Sequence, residues 1–477
     1  MPQVLSKSLL NDPITASCYQ YVHPWTEGCL PSICGCYLYC IVDSLRIYGT
    51  VYLCTLLMKG RVPTKEDLRK TLHGIAQSTA FLSFTGFGYS LFLCSLRRLL
   101  GHFNVLTVSA LPAFLASALA ILIERPSRRT LLCLYVSNVA TETVWNMLVA
   151  RHLVRNVAYG DVAIFGASMA LLLTYFKGGC HKETNDPMFR VLRFVLGPYE
   201  EKDFRPRSSQ MNTFHRQQAT TTNDPDDGRG WRRRQGAPPR KNRVLAFVAG
   251  ALKAYKRLVY RLKCGDRHHA CPHPFGCLYY VVQGGAKMFG VGFAIQVALK
   301  FALNSRRVLR SAAAARHLFM RKETLGLGLF LGTYSAVFRG ALCALRRLYG
   351  EDRPWYAVPA GLLAAFAFKR YPDTTVALYV MWKAAQITYS LGIQKGYLPE
   401  VPGFTELLYC VSTAVLFHAA ILEPTNLRPS YWKFLHSISG GRIACMNRAP
   451  LDAWGLGTSE SLARVLETTK TVPVVLF

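Results

Sequence analysis

Asp43 and Arg46 stand three residues apart inside Ile33–Met58, an apolar run long enough to cross a membrane. That spacing puts both on one helix face, where they can neutralise each other. Further charges lie within later apolar runs: Glu142 in Leu131–Ala150, Lys287 in Leu278–Leu303, Arg339 in Leu325–Leu345 and Lys383 in Thr374–Ile393. A charge at membrane depth is costly unless it is paired or hydrated. Together the six residues are candidates for a polar path through the bilayer. The plainer alternative is internal pairing, or a side chain reaching back to the headgroups, and it is favoured for Asp43 and Arg46. For Glu142, in mid-span, the functional reading is favoured.

A second set of reactive side chains precedes or opens the first span of each half. His23, Cys29, Cys34, Cys36 and Cys40 form one head; Cys264, His268, His269, Cys271, His273 and Cys277 form the other. Thiolate and imidazole are zinc-ligand types, which makes Cys264, His268, Cys271, His273 and Cys277 metal candidates. Their spacings match no standard finger, and the two heads match each other loosely. Membrane-proximal free thiols are therefore the favoured reading, and no metal or other cofactor is expected. The 15 cysteines are an odd number, several inside apolar runs, unlike a secreted disulfide framework. Packed among helices, cysteine behaves as a small hydrophobe. There is no nucleophile elbow, no His-Glu-x-x-His and no Gly-rich phosphate loop, and His418 reads as a packed histidine. No enzyme is expected.

The elements that must hold these residues are repeated. Cys94–Leu99 reads CSLRRL and Cys343–Leu348 reads CALRRL, each closing an apolar run. Outward from these strings, Cys36–Gly49 aligns with Cys277–Gly290, Pro112-Ala113 with Pro359-Ala360, and Leu134-Tyr135-Val136 with Leu378-Tyr379-Val380. Arg46 then matches Lys287, and Glu142 falls opposite Gln386. The pattern predicts an all-α polytopic membrane protein of about ten transmembrane or re-entrant helices in two homologous halves. Five spans per half would invert the halves relative to each other.

The predicted layout is a cysteine-containing head (1–32), a first membrane repeat (33–197), a disordered linker (198–243), a basic amphipathic helix with the Cys/His-rich head (244–277), a second repeat (278–424) and a tail (425–477) outside the bilayer. The linker is too polar to offset its ordering entropy. Val244–Lys263 mixes Lys and Arg with Leu, Val, Phe and Tyr, which fits a helix on an anionic membrane surface and equally a solvated connector helix. Gly328, Gly332, Ala336 and Gly340 recur every fourth residue and predict close helix packing. Arg97, Arg98, Arg346 and Arg347 are expected to anchor helix ends at the headgroups.

The chain carries 57 Lys and Arg against 27 Asp and Glu, a net charge of +30. With the basic residues at the ends of apolar blocks, lipid is the expected partner and nucleic acid is not. Met1–Asp12 has no secretory signal pattern, and the final Val-Leu-Phe is not a peroxisomal address.

Several longer strings are family-like: AILIERPSRR at Ala120–Arg129, ATE at Ala140–Glu142 with VAR at Val149–Arg151, LRPSYWKFL at Leu427–Leu435 and MNRAPLDAWGLGTS at Met446–Ser459. With LSKS at Leu5–Ser8 and SLRIYGTVYL at Ser44–Leu53, they resemble the transmembrane protein 135 (peroxisomal membrane protein 52) family over almost the whole chain. The linker carries none of the resemblance. The resemblance implies a multipass protein of peroxisomal and mitochondrial membranes, associated with mitochondrial fission and dynamics and with peroxisomal lipid metabolism. Division machinery would be a partner. It also implies an N-terminal cysteine-rich region, matched by Cys18–Cys40, and a distant similarity to channel subunits of the mitochondrial inner-membrane import translocase. The family brings no catalytic residues. A transporter or pore for lipid-derived metabolites at the interface of the two repeats is the alternative function.

Overall fold

Thr64 and Asp67 start the longest helix among the described residues. The Thr64 hydroxyl accepts from the Asp67 N–H (3.2 Å), and the Asp67 carboxylate accepts from the Thr64 N–H (3.4 Å), a reciprocal cap. Glu66 and Asp67 occupy the first turn and Arg97 and Arg98 the last, each sign at its favoured end of the helix dipole. Gly101, at φ +74°, ends the helix in the left-handed region that glycine enters without strain.

The computed structural model describes residues 13–58, 60, 62–182, 184, 186–201, 242–310 and 322–475. Among these residues there is no β-strand, only a bridge between Ile14 and Phe103. In order, the principal helices are α1 (Cys29–Met58), α2 (Lys65–Leu100), α3 (Ala110–Ile123), α4 (Pro126–Ala150), α5 (Gly160–Gly178), α6 (Pro187–Leu196), α7 (Asn242–Lys263), α8 (Cys277–Arg310), α9 (Lys322–Tyr349), α10 (Ala357–Ala365), α11 (Thr374–Gln394), α12 (Phe404–Leu422), α13 (Pro429–Ile438) and α14 (Thr458–Thr469).

Six of these are long and apolar enough to cross a membrane: α1, α2, α5, α8, α9 and α12. They fall into repeat-matched pairs, α1 with α8, α2 with α9 and α5 with α12. The remaining expected membrane segments are α3 and α10, which are short, and α4 and α11, which are long but less apolar. The chain is an all-α polytopic membrane protein.

Two compact units form, and neither coincides with a sequence repeat. Unit 1 is Met1–Ala158 with Pro399–Phe477, and unit 2 is Tyr159–Leu398. In unit 1, α1 and α2 form a hairpin, α2 packs on α3, and α12 packs on α3 and α4. Unit 2 repeats the plan: α8 and α9 form the hairpin, α9 packs on α10, and α5 packs on α10 and α11. Each unit thus takes four helices from its own repeat and the fifth from the other. In unit 1, α12 is held by Ser412 to Ser137 (3.0 Å), His418 to Ser109 (2.9 Å) and the Phe417 ring against Tyr89 (4.9 Å). In unit 2, Phe165 of α5 stacks on Phe368 at 4.3 Å.

The α8–α9 contact runs along small residues. A Cβ on Gly292 would lie 2.8 Å from the Gly328 Cα, and one on Gly285 would meet the Ala336 Cβ at 3.0 Å. Gly332 lies against Phe289, whereas Gly340 is in ordinary contact with Val281. No larger side chain fits at Gly292 or Gly328 without parting the helices.

Two expected boundaries differ in the structure. The stretch predicted as a tail builds α13 and α14, and Leu427, Tyr431, Trp432 and Leu451 enter the unit 1 core. Its apolar residues follow helical periods too short to register as spans. At the other boundary, Pro198–Glu200 is a 3-10 turn with Glu200 buried. Residues 202–241 of the predicted linker lie outside the described residues, as do LSKS and residues 311–321.

Candidate functional sites

Each hairpin gathers three cysteines and a histidine at its open end. α1 begins at Cys29, and α2 passes Cys94 in its closing turns; a short turn at Cys18–Tyr21 and His23 precede them. The Sγ atoms of Cys18, Cys29 and Cys94 and one ring nitrogen of His23 all lie within 4.8 Å of one another. In unit 2, Cys271, His273, Cys277 and Cys343 meet within the same limit. Cys277 is the first residue of α8, and Cys343 lies in the closing turns of α9.

The two histidines are oriented alike. His23 Nδ1 lies 2.7 Å from the Thr26 carbonyl oxygen, and His273 Nδ1 lies 2.7 Å from that of Phe275. A carbonyl only accepts, so Nδ1 carries a proton, and in the neutral ring Nε2 is then the atom with the free lone pair. His23 Nε2 faces Cys29 Sγ at 3.3 Å, and His273 Nε2 faces Cys343 Sγ at 3.4 Å. Both histidines are buried, and His273 also stacks on Tyr280 at 4.3 Å. The neighbouring Cys94 and Cys343 thiols hold the Cys18 and Cys271 thiols, respectively, below the usual thiol range, against the opposing effect of burial.

Of the metal candidates read from the sequence, the structure brings together Cys271, His273 and Cys277. Cys264 is exposed, and His268 instead accepts from the Ala270 N–H (3.4 Å). In the first head, His23 and Cys29 join the cluster. Cys34 is exposed, while Cys36 and Cys40 lie 3.8 Å apart and Cys40 donates to the Ile438 carbonyl. Cys18, Cys94 and Cys343 were not among the ligand candidates. The signal for two of them was the leading cysteine of the duplicated string. The clusters also correct the repeat register: Cys29, not Cys36, corresponds to Cys277, with nearly the same offset that joins Cys94 to Cys343. Arg46 therefore loses Lys287 as its counterpart.

The intramembrane charges divide between the units. In unit 1, Asp43 accepts from the Ser437 hydroxyl (3.0 Å), Arg46 is exposed, and Glu142 pairs with Arg428. In unit 2, Lys383 donates to Asp186 (2.7 Å) and Gln386 (2.8 Å). Arg339 donates to the Tyr280 carbonyl (3.2 Å) and lies over its ring, 4.5 Å from the centroid, while Lys287 is exposed and 5.1 Å from that of Phe194.

The most enclosed charge group among the described residues lies in unit 2. Arg346, expected at the headgroups, is fully buried against Glu200, which lies in the stretch expected to be linker. Lys177 and Asp352 complete the group, and the Tyr280 hydroxyl donates to Glu200 at 2.9 Å. Burial alone would raise the Glu200 carboxyl, but Arg346 and Lys177 prevail and hold it at about 2. Of the other three arginines, Arg98 is exposed, Arg97 donates to the Thr15 and Ala16 carbonyls, and Arg347 pairs with Asp266.

Paired long apolar helices in an all-α, duplicated chain define a polytopic membrane protein. Residues 15–149 match the family model for the N-terminal cysteine-rich region of Transmembrane protein 135, a stretch that contains the whole first cluster. The matched stretch covers less than a third of the chain, and in it the chain is similar to that family's cysteine-rich region. No solved structure matches the chain.

Proposed function

We propose that the chain is a non-enzymatic multipass protein of peroxisomal and mitochondrial membranes that regulates mitochondrial fission and dynamics and peroxisomal lipid metabolism. The observation that carries this reading is the match over the cysteine-rich region, joined to the longer sequence resemblance. In this reading the membrane helices are a scaffold and cytosolic segments recruit division machinery. The exposed face of α7 supports a membrane grip: Lys253, Lys256, Arg257 and Arg261 are uncovered, and so are Leu252, Tyr255 and Leu258. Such a helix binds by apolar insertion and by attraction to anionic lipid. In cells lacking the protein, the full chain should restore the mitochondrial network and peroxisomal lipid content. A chain without residues 202–241 and with the four α7 cations changed to glutamate should not. Full rescue by that variant would remove the scaffold mechanism; failure of the unaltered chain to change either readout would remove the function.

A second reading, transport of a lipid-derived metabolite where the repeats meet, is supported by one cavity. It is an open groove of about 560 Å³ in unit 1 between α3 and α4 of the first repeat and α12 of the second. Phe114, Val144, Leu148 and Val415 make it apolar, and Arg151 and His418 add polar groups.

A further inference from the structure

We infer that each unit holds one zinc ion in a closed Cys3His centre, bound by Cys18, His23, Cys29 and Cys94 in unit 1 and by Cys271, His273, Cys277 and Cys343 in unit 2.

The dimensions fit one ion. A tetrahedral zinc with Zn–S near 2.3 Å separates its sulfurs by roughly 3.8 Å, and the sulfur–imidazole edge is a little shorter. Cys271 and Cys277 Sγ lie 3.8 Å apart, and the two sulfur–nitrogen edges are 3.3 and 3.4 Å. A disulfide would instead join two sulfurs at about 2.05 Å and strand the other two ligands. An iron–sulfur cluster would need the ligand atoms spread further apart than the 4.8 Å that bounds both sets.

The histidines are already set for metal. A ligating imidazole usually gives its second N–H to a carbonyl or carboxylate, which fixes tautomer and ring angle. Thr26 and Phe275 supply that carbonyl, and each Nε2 lone pair points at thiols. Three thiols and one imidazole are a common structural zinc set, and four protein ligands leave no open position for a substrate.

Recurrence is the independent observation. The first cluster follows Cys-x4-His-x5-Cys and the second Cys-x-His-x3-Cys, so the loops do not superimpose by length. Yet both deliver the same ligand types in the same chain order, with the third at the first residue of the hairpin's first helix and the fourth near the end of its second. Incidental thiol packing has no reason to keep that set through two different loops. On binding, three thiol protons leave and the zinc–ligand centre carries one net negative charge. The ion joins the open end of each hairpin and ties the segment before it to the same point.

The test uses the full chain, purified in detergent without chelator, with metal counted per chain by mass spectrometry. Two zinc equivalents are expected. Cys94→Ser and Cys343→Ser should each remove one, and the double variant both, while Cys34→Ser and Cys264→Ser keep two. Cobalt replacement should give the visible bands and the thiolate charge-transfer band of a tetrahedral Cys3His site. If the serine variants misfold, His23→Cys and His273→Cys preserve four ligands; both metals should be retained and the cobalt spectrum should shift towards that of a four-thiolate site. Absence of zinc from the unaltered chain, together with failure to take up cobalt, overturns the inference. So does metal that persists in the double variant. A single equivalent that follows Cys94 and ignores Cys343 overturns the paired assignment.

Discussion

Arg346 and Glu200 form a two-point ion pair that neither side chain shares with solvent, with Nη2–Oε2 at 2.5 Å and Nη1–Oε1 at 3.2 Å. Lys177 lies 3.8 Å from the same Glu200 carboxylate, and Arg346 Nε is 3.0 Å from Asp352. Two cations thus face two anions, and the enclosed charges are tolerable only as a set. Removing one partner of a buried pair typically costs about 3–5 kcal/mol, because the other is left buried and uncompensated. Glu200→Gln is therefore expected to lower the thermal unfolding temperature of the purified protein markedly, and Arg347→Gln, at an exposed pair, to leave it nearly unchanged. Equal shifts for the two variants would contradict the burial argument.

The same carboxylate sets a pH dependence. Its folded value of about 2 lies below the ordinary value of 4.5. A depressed acid stabilises the fold fully above its unfolded value and loses that contribution as pH falls towards the folded one. Stability should accordingly decline from about pH 4.5 down to about pH 2, and Glu200→Gln should flatten that limb while lowering stability at neutral pH. Unfolding temperatures measured across this range for both proteins check it. An acid limb of unchanged steepness in the variant would assign it to other carboxylates.

How much of this was legible in the sequence depends on the range of the interaction. The matched apolar helices and the α8–α9 glycine seam were readable, since hydropathy and four-residue spacing are local signals. Cys94 and Cys343 were visible as a repeat but not as ligands, because their partners lie far off along the chain. Arg346 looked like a headgroup anchor for the same reason: its partner Glu200 sits in a polar stretch that, by composition alone, has no cause to be buried. The exchange of α5 and α12 between units could not be read at all, since a duplicated sequence is equally consistent with either pairing.

Glu142 and Lys383 were candidates for a transport path, and each is now seen with a partner. Glu142→Gln leaves Arg428 without its carboxylate, and Lys383→Met leaves Asp186 without its ammonium. A charged hydrogen bond lost in a half-buried setting typically costs about 1–3 kcal/mol. Each substitution should destabilise its own unit, and Glu142→Gln with Arg428→Gln should be less harmful than the sum of the two. Unfolding measurements on this double-mutant cycle give the coupling directly. Full additivity, with loss of lipid-metabolite flux in reconstituted vesicles and unchanged unfolding, would instead place Glu142 in a transport path.

The exchanged fifth helices give the last prediction. Phe165 belongs to the first repeat by sequence, yet its ring stacks on Phe368 at 4.3 Å and meets Phe330 at 5.7 Å and Tyr334 at 5.9 Å, all second-repeat residues. It is buried in the unit 2 core. Truncating a core phenylalanine costs about 3–5 kcal/mol. Phe165→Ala should raise hydrogen exchange in α9, α10 and α11 and leave α3 and α4 protected. Phe417→Ala, in the matching helix α12, should do the reverse, because its ring packs on Tyr89 of unit 1. Mass-spectrometric exchange of the two variants separates the outcomes. If Phe165→Ala loosens α3 and α4 instead, the fifth helix stays with its own repeat and the exchange does not occur.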